Sequence, residues 1–421
     1  MKKEISLKKA TLYWLKLGFI SFGGPASQIS MMYEEVVDKR KWIDEKNFFH
    51  ALNFTMILPG PEAQQLATYL GWLMHGRIGG LIAGTLFILP SFFILSLLTF
   101  FYIQYSDNVW GEGILYGIKA AVIAIIFSAS IKIAKKVLKK YYYWLTAIFS
   151  FLAINILNIS LPIIIIIAGT IGLIFHAVVN KNNKIKNNSN NFFKNKLAKQ
   201  AVVTLFKSVS LWLLVFLIIL LTNENILIDL SLFFSQAALV TFGGAYALLP
   251  YVFQNIIESH GWLTSQQMID GLALGESTPG PLIMIVTYVG FIVGWYNDIL
   301  NLGSPISSAL ICACIATFFT FLPSFAFIFI GAPIIEISKK NKGLEIPLNF
   351  ITSAVVGLIA NLGYMLAYNS LWIDNDGVKL IDINLLLLII FSFLAITKAK
   401  VGILPLLITL GLTGMMMKIY F

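Results

Sequence analysis

The sequence predicts an all-α polytopic membrane protein built as an inverted tandem repeat. Three observations carry that reading. Of 421 residues 58% are hydrophobic and 12% charged, with a mean hydropathy of +0.83, against roughly 25% charged in a soluble domain. A chain with so few charges cannot cover a water-facing surface. Glycine- and proline-centred motifs recur in order at a near-constant spacing, and lysine and arginine crowd into only some of the connecting segments.

The recurrence defines the copies. Ser21-Phe22-Gly23-Gly24-Pro25 returns as Thr241-Phe242-Gly243-Gly244-Ala245, Trp42 as Trp262, and Pro59-Gly60-Pro61 as Pro279-Gly280-Pro281, all at an offset of 220 (241 against 21). Thr68-Tyr69-Leu70-Gly71 returns at 219 as Thr287-Tyr288-Val289-Gly290. After an insertion, Leu89-Pro90-Ser91-Phe92 returns at 233 as Leu322-Pro323-Ser324-Phe325, with Ala121-Val122 matched by Ala354-Val355. Tandem duplication is a common plan for transporters. The expected division is a first copy over 1–179, a basic Asn/Lys-rich cytoplasmic linker over 180–200, a topology-inverting transmembrane helix over 201–222, and a second copy over 223–421.

Topology follows from the positive charges, which stay cytoplasmic. Lys2, Lys3, Lys8, Lys9, Lys39-Arg40-Lys41, Lys46, Arg77, Lys132 to Lys140, the linker, Lys339 to Lys342, Lys398 and Lys400 are placed inside. Segments without Lys or Arg, such as Ser106 to Gly113 and Glu258 to Gln267, are placed outside. The N-terminus is then cytoplasmic and the C-terminus outside, in the inner or plasma membrane. The start imitates a signal peptide, but Lys16 interrupts its apolar run and its terminal motif recurs, so it is read as retained.

Ala10 to Tyr33 has both ends inside and cannot be one span. Twelve residues of helix on either side of Gly23-Gly24 rise about 18 Å, a little over half of a ~30 Å core. The economical solution is a re-entrant hairpin with its glycine turn near the midplane. Asn47 to Gly76, broken at Pro59-Gly60-Pro61, is a second. An ordinary span with a glycine kink is the alternative. Four full spans complete the first copy: 79–104, 112–134, 142–157 and 161–179. The extra helix carries the chain outside, so the second copy's hairpins, at Gly243-Gly244 and Pro279-Gly280-Pro281, enter from the exterior. Four tips then converge.

A hairpin tip ends one helix and starts another, so free N–H groups and the positive dipole end face the tip and suit an anion. Gly23, Gly24, Gly60, Gly243, Gly244 and Gly280 let backbone approach a ligand, while Pro25, Pro61 and Pro281 suit the first turn of an outgoing helix. Gln64 and Gln65 can donate to a substrate or to a neighbouring helix. Glu62 and Glu276 are intramembrane carboxylates whose natural role is proton coupling; for Glu62, capping a helix N-terminus is the plainer alternative. Lys119 either neutralises part of an anion's charge or snorkels outward.

Other chemistry is excluded by pattern. His50, His75, His176 and His260 show no metal-site spacing, and neither a P-loop nor HExxH is present. Cys312 and Cys314 point to different helix faces and are packing residues. No cofactor, metal or nucleic-acid partner is expected; the net charge of +10 reports topology first.

The motifs resemble the chromate ion transporter family, long-chain two-domain type. The residues that carry the resemblance are Ser21 to Pro25, Ala51-Leu52-Asn53-Phe54, Leu58 to Gln65, Tyr69-Leu70-Gly71-Trp72 and Gly117 to Val122. The second copy adds Phe242 to Ala247, Gly261 to Thr264 and Glu276 to Leu282. The resemblance implies an inner-membrane chromate exporter with homologous halves of opposite orientation. The expected partners are chromate or a sulfate-like oxyanion and membrane lipids, with a homodimer as an allowed assembly. A sulfate carrier, a channel and an intramembrane enzyme are the rivals; the enzyme would need a nucleophile–base pair or metal cluster that the histidine positions do not offer.

Overall fold

The computed structural model describes residues 5–22, 24–106, 108–157, 159–179, 191–242, 245–297, 299, 303–337, 345–375 and 378–420. The expectations for Gly23, Gly243, Gly244 and linker residues 180–190 lie outside the described residues. The first copy runs α1 (Leu7–Ile20), α2 (Gly24–Tyr33), α3 (Glu45–Thr55), α4 (Glu62–Tyr105), α5 (Val109–Val137), α6 (Tyr141–Asn155) and α7 (Leu161–Val179). After α8 (Asn191–Leu220) come α9 (Asn225–Val240), α10 (Ala245–Gln254), α11 (Ser265–Ser277), α12 (Ile285–Trp295), α13 (Pro305–Ile337) and α14 (Glu345–Leu371). A short antiparallel ribbon of β1 (Trp372–Asn375) and β2 (Val378–Ile381) leads to α15 (Ile383–Thr397) and α16 (Ile403–Tyr420).

The protein is a multi-pass membrane protein, all-α among the described residues apart from that ribbon. Seven of the described helices, α4, α5, α7, α8, α13, α14 and α16, are long and apolar enough to cross a bilayer. The repeat reaches further than the motifs. α6 and α15 begin at 141 and 383, α7 and α16 at 161 and 403, a constant offset of 242. The step beyond 233 falls where the ribbon is inserted.

Local chemistry explains the boundaries. Asp44 caps α3 by accepting from Asn47 N at 2.9 Å. At the matching start of α11, Thr264 and Gln267 form a reciprocal capping box (2.9 and 3.1 Å). α4 is two antiparallel arms, 62–74 and 77–105, broken at His75 (φ −137°) and Gly76 (φ 62°, ψ −151°); only glycine occupies the latter conformation without strain. Both copies carry a short π-turn after the second helix, Glu34–Lys39 and Asn255–Ser259, followed by a left-handed residue, Lys41 (φ 53°) or Gly261 (φ 61°).

The arms 77–105 and α13 serve as rulers. The His75 ring donates to Ile5 O at 2.7 Å, and Gly18 presses on Leu86 O and Pro90. α1 therefore runs alongside arm 77–105 and stops near its middle. α4's first arm comes back along it, with Gly71 against Gly79 and Ala83, and Thr68 against Gly84. α2 and the π-turn after it bring the chain back to the level of Tyr13, where the Arg40 guanidinium lies 5.3 Å from the Tyr13 ring and 4.7 Å from Trp42. Arg40 also bonds Glu35 at 2.7 Å and holds that carboxyl below its ordinary range. The second copy repeats the cluster with Phe233, His260 and Trp262, with His260 stacked on Trp262 at 4.1 Å.

The copies interlock by exchanging helices. α5 packs against α15 and α16 of the other copy, and α14 packs against α6 and α7. Small residues bring the backbones together, as at interfaces where lipid removes the hydrophobic drive. Gly113 and Gly117 of α5 lie on Gly414 and Leu410 O of α16, and Gly357 of α14 lies on Ala147 O of α6. Cys312 is buried against Gly290 while Cys314 is exposed, both as free thiols.

Candidate functional site

The four helix breaks meet, and each meeting is between copies. Gly60 N donates to Thr241 O at 2.7 Å, and Gly280 N donates to Ser21 O at 2.9 Å. These two bonds are the same bond seen twice, because Ser21 matches Thr241 and Gly60 matches Gly280 in the repeat. Gly60 (φ 122°), Gly280 (φ 100°) and Gly24 (φ 78°) all hold conformations that side chains resist. Above them stand matched serines of the two ruler helices. Ser91 Oγ donates to Pro279 O, and Ser324 Oγ occupies the space where a Gly60 side chain would start.

Around this symmetric frame the side chains differ. Gln28 Nε2 donates to both Ser21 O (3.1 Å) and Gly280 O (2.5 Å), tying one break to another. Gln65 Nε2 donates to Pro59 O at 2.6 Å, and Gln64 Nε2 to Thr68 Oγ1 at 3.0 Å. Tyr246 donates to Glu276 Oε1 at 3.2 Å, and its hydroxyl lies 3.5 Å from where a Gly24 side chain would begin. Glu276 is buried, whereas Glu62 is half-buried in the first turn of α4.

Several buried polar atoms here have no partner among the described residues: Ser21 Oγ, Ser324 Oγ and the Oε1 atoms of Gln28, Gln64 and Gln65. Each such atom costs about 1–3 kcal/mol if left unsatisfied, so their clustering marks a place built for something polar. Pro61, the residue before α4, supplies no side-chain cap, which leaves the N–H groups of the helix's first turn facing the break. Hydroxyl and N–H donors there can hold an anion; the glutamine oxygens can hold water or a protonated group.

The predicted residues divide into two places. Gly24, Gly60, Pro61, Gly280, Pro281, Gln65 and Glu276 belong to the meeting of the breaks, with Pro25, Glu62 and Gln64 in the first turns of the helices that leave it. Lys119 does not. Its Nζ donates to Gln266 Oε1 at 2.7 Å, and twelve residues of α11, about 18 Å, separate Gln266 from Thr278. Sequence reasoning passed over Gln28, Ser91, Ser324, Tyr246 and Asp270. For the serines a signal existed, since they fall on the 233 register; Gln28 and Tyr246 have the unmatched partners Leu248 and Ala26 and left none. Among the described residues no cluster of His, Cys, Asp or Glu could hold a metal ion.

Known proteins place the chain. A 33% identical chromate transport protein of Pseudomonas aeruginosa aligns over 95% of this chain and 90% of its own length. A probable chromate transport protein of Synechococcus elongatus is 30% identical over 87% and 86%. An uncharacterized transporter of Bacillus subtilis is 29% identical over 97% of its own length, which is only 44% of this chain. No solved structure matches. The family profile described as Chromate transporter matches residues 9–173 and 228–415, one stretch in each copy. The chain therefore belongs to the chromate transporter family.

Proposed function

We propose that this protein exports chromate, or another tetrahedral oxyanion of the same charge, from the cytoplasm by alternating access, through a site formed where the four helix breaks meet. One observation carries the reading: the reciprocal bonds Gly60 N to Thr241 O and Gly280 N to Ser21 O, which join a break of one copy to a break of the other at two matched places, with Tyr246 reaching from one pair to Gly24 and Glu276 of the other. In the first copy α1 and the first arm of α4 reach only to the middle of arm 77–105, which supports re-entrant hairpins there, and the repeat carries the same reading to the matched helices of the second copy. α8, an extra helix long enough to span, places the second copy's hairpins on the outer side and inverts the repeat. Residues 1–179 and 223–421 are the two units, joined by the linker and this helix.

A backbone site reads charge and shape, so chromate and sulfate bind comparably unless side chains intervene. An inside-negative potential of 100 mV is worth about 4.6 kcal/mol for a dianion. That alone sustains an outward gradient on the order of 10³-fold. Glu62 and Glu276 are the residues for any proton coupling. The test is uptake of radiolabelled chromate and sulfate into inverted vesicles with and without an imposed potential. Saturable flux that rises with an inside-positive lumen supports the reading; flux that is linear in concentration and shows no trans-stimulation makes the protein a channel.

A further inference from the structure

We propose a second anion station outward of the helix breaks, in which Lys119 is the ligand and Asp270 its built-in counter-charge. The proposal rests on the reading that an oxyanion passes through the breaks. Lys119 lies ten residues into α5, about 15 Å from its start at Val109. Its ammonium nevertheless bonds the exposed Gln266 at 2.7 Å. Gln266 Nε2 donates in turn to Asp270 Oδ1 at 2.9 Å, and Tyr102 donates to Asp270 Oδ2 at 3.1 Å. Asp270 itself is 3% exposed. Three elements build the cluster: α4 and α5 from the first copy and α11 from the second.

The order of these groups matters. An ammonium has three donors, and among the described residues Lys119 is bonded through an amide oxygen rather than directly to a carboxylate. An arriving oxyanion has only to displace that amide. Asp270, behind Gln266, balances the cation when the station is empty and repels the anion when it is full. A cation in front and a carboxylate behind give weak, quickly released binding, as an exit requires. The matched positions in the other copy are Thr352 for Lys119, His50 for Asp270, Lys46 for Gln266 and Ile335 for Tyr102, so the station exists on one side only. The occupant is the transported dianion in transit.

Sulfate is the suitable probe, because chromate oxidises thiols. In a background carrying Cys312→Ala and Cys314→Ser, the single substitution Gln266→Cys leaves Lys119 in place and puts a thiol beside it. Sulfate should slow modification of that thiol by a charged methanethiosulfonate, where chloride of equal ionic strength does not. Adding Lys119→Met should abolish the protection and Lys119→Arg should keep part of it. Adding Asp270→Asn should lower the half-protecting sulfate concentration about tenfold, since one like charge is removed from nearby. A modification rate insensitive to sulfate, or protection that survives Lys119→Met, overturns the station. Gly24→Leu separates the two readings: it stops flux if the breaks are the main site, yet leaves Gln266→Cys protection intact. Protection lost in Gly24→Leu would make the station part of the breaks and overturn it as a separate site.

Discussion

At the scale of residues, the site depends on backbone that only glycine supplies and on a few amides that stitch it. Gly24 combines a left-handed backbone with the Tyr246 hydroxyl 3.5 Å from its missing side chain. Gly24→Leu is expected to abolish chromate flux while membrane insertion and yield stay near normal; normal flux would move the anion site elsewhere. Gln28 is a different kind of residue, because its one amide group serves Ser21 O and Gly280 O together. Gln28→Leu should destabilise the protein by about 1–3 kcal/mol, read as a lower melting temperature in detergent, with slower turnover. An unchanged melting temperature would mean the amide adds nothing to the junction. The glycines were legible in the sequence because an unusual backbone demand survives duplication and leaves a spacing. Asp270 was not, because an acid among Met268, Ile269 and Leu272 looks the same on paper whether it faces water or Tyr102.

Helices bring a different trade-off. Gly76 and Gly117 are both glycines in long helical elements, yet they are there for opposite reasons. Gly76 has open space around its Cα but a backbone conformation closed to other residues, whereas Gly117 is ordinary helix pressed against Leu410 O. Gly76→Ala should cost about 1–3 kcal/mol through backbone strain, and the cost should not grow with a larger residue. Gly117→Ala should already lower folded yield, and Gly117→Leu should remove it, because α16 cannot stay at that distance. Equal size dependence at the two positions, measured as monodisperse yield after solubilisation, would show that the reasons are not distinct. The motif Gly113 to Gly117 could be read in the sequence as small residues, but its partner on α16 could not, since nothing local ties residue 117 to residue 410.

For the whole molecule, the duplication and its break motifs could be read directly, whereas the exchange of α5 and α14 between copies could not. Periodicity identifies a helix face without naming what covers it. The same limit hid the ribbon at 372–381, which alters the register only after the last matched motif. Orientation is the property to test at this scale. Lys41 and Ser265 flank matched turns of the two copies, with Lys41 and Gly261 sharing a left-handed backbone. Single cysteines at Lys41 and Ser265, with Cys312 and Cys314 removed, should react with impermeant reagents from opposite sides of the membrane. Labelling of both from one side would leave a repeat without inversion.

The helix exchange also sets a timetable. α5 leaves the ribosome long before α16, which begins at residue 403; at 5–20 residues per second the interval is roughly tens of seconds. During that interval the glycine groove of α5 stands open in the bilayer, and any passing helix with small residues is a competitor for it. The first half must therefore wait, inserted but unfinished, until translation delivers its partner. A chain carrying one copy alone would have to find that partner by diffusion from a separate polypeptide. Joining the two halves on one chain replaces this search with a fixed order of arrival.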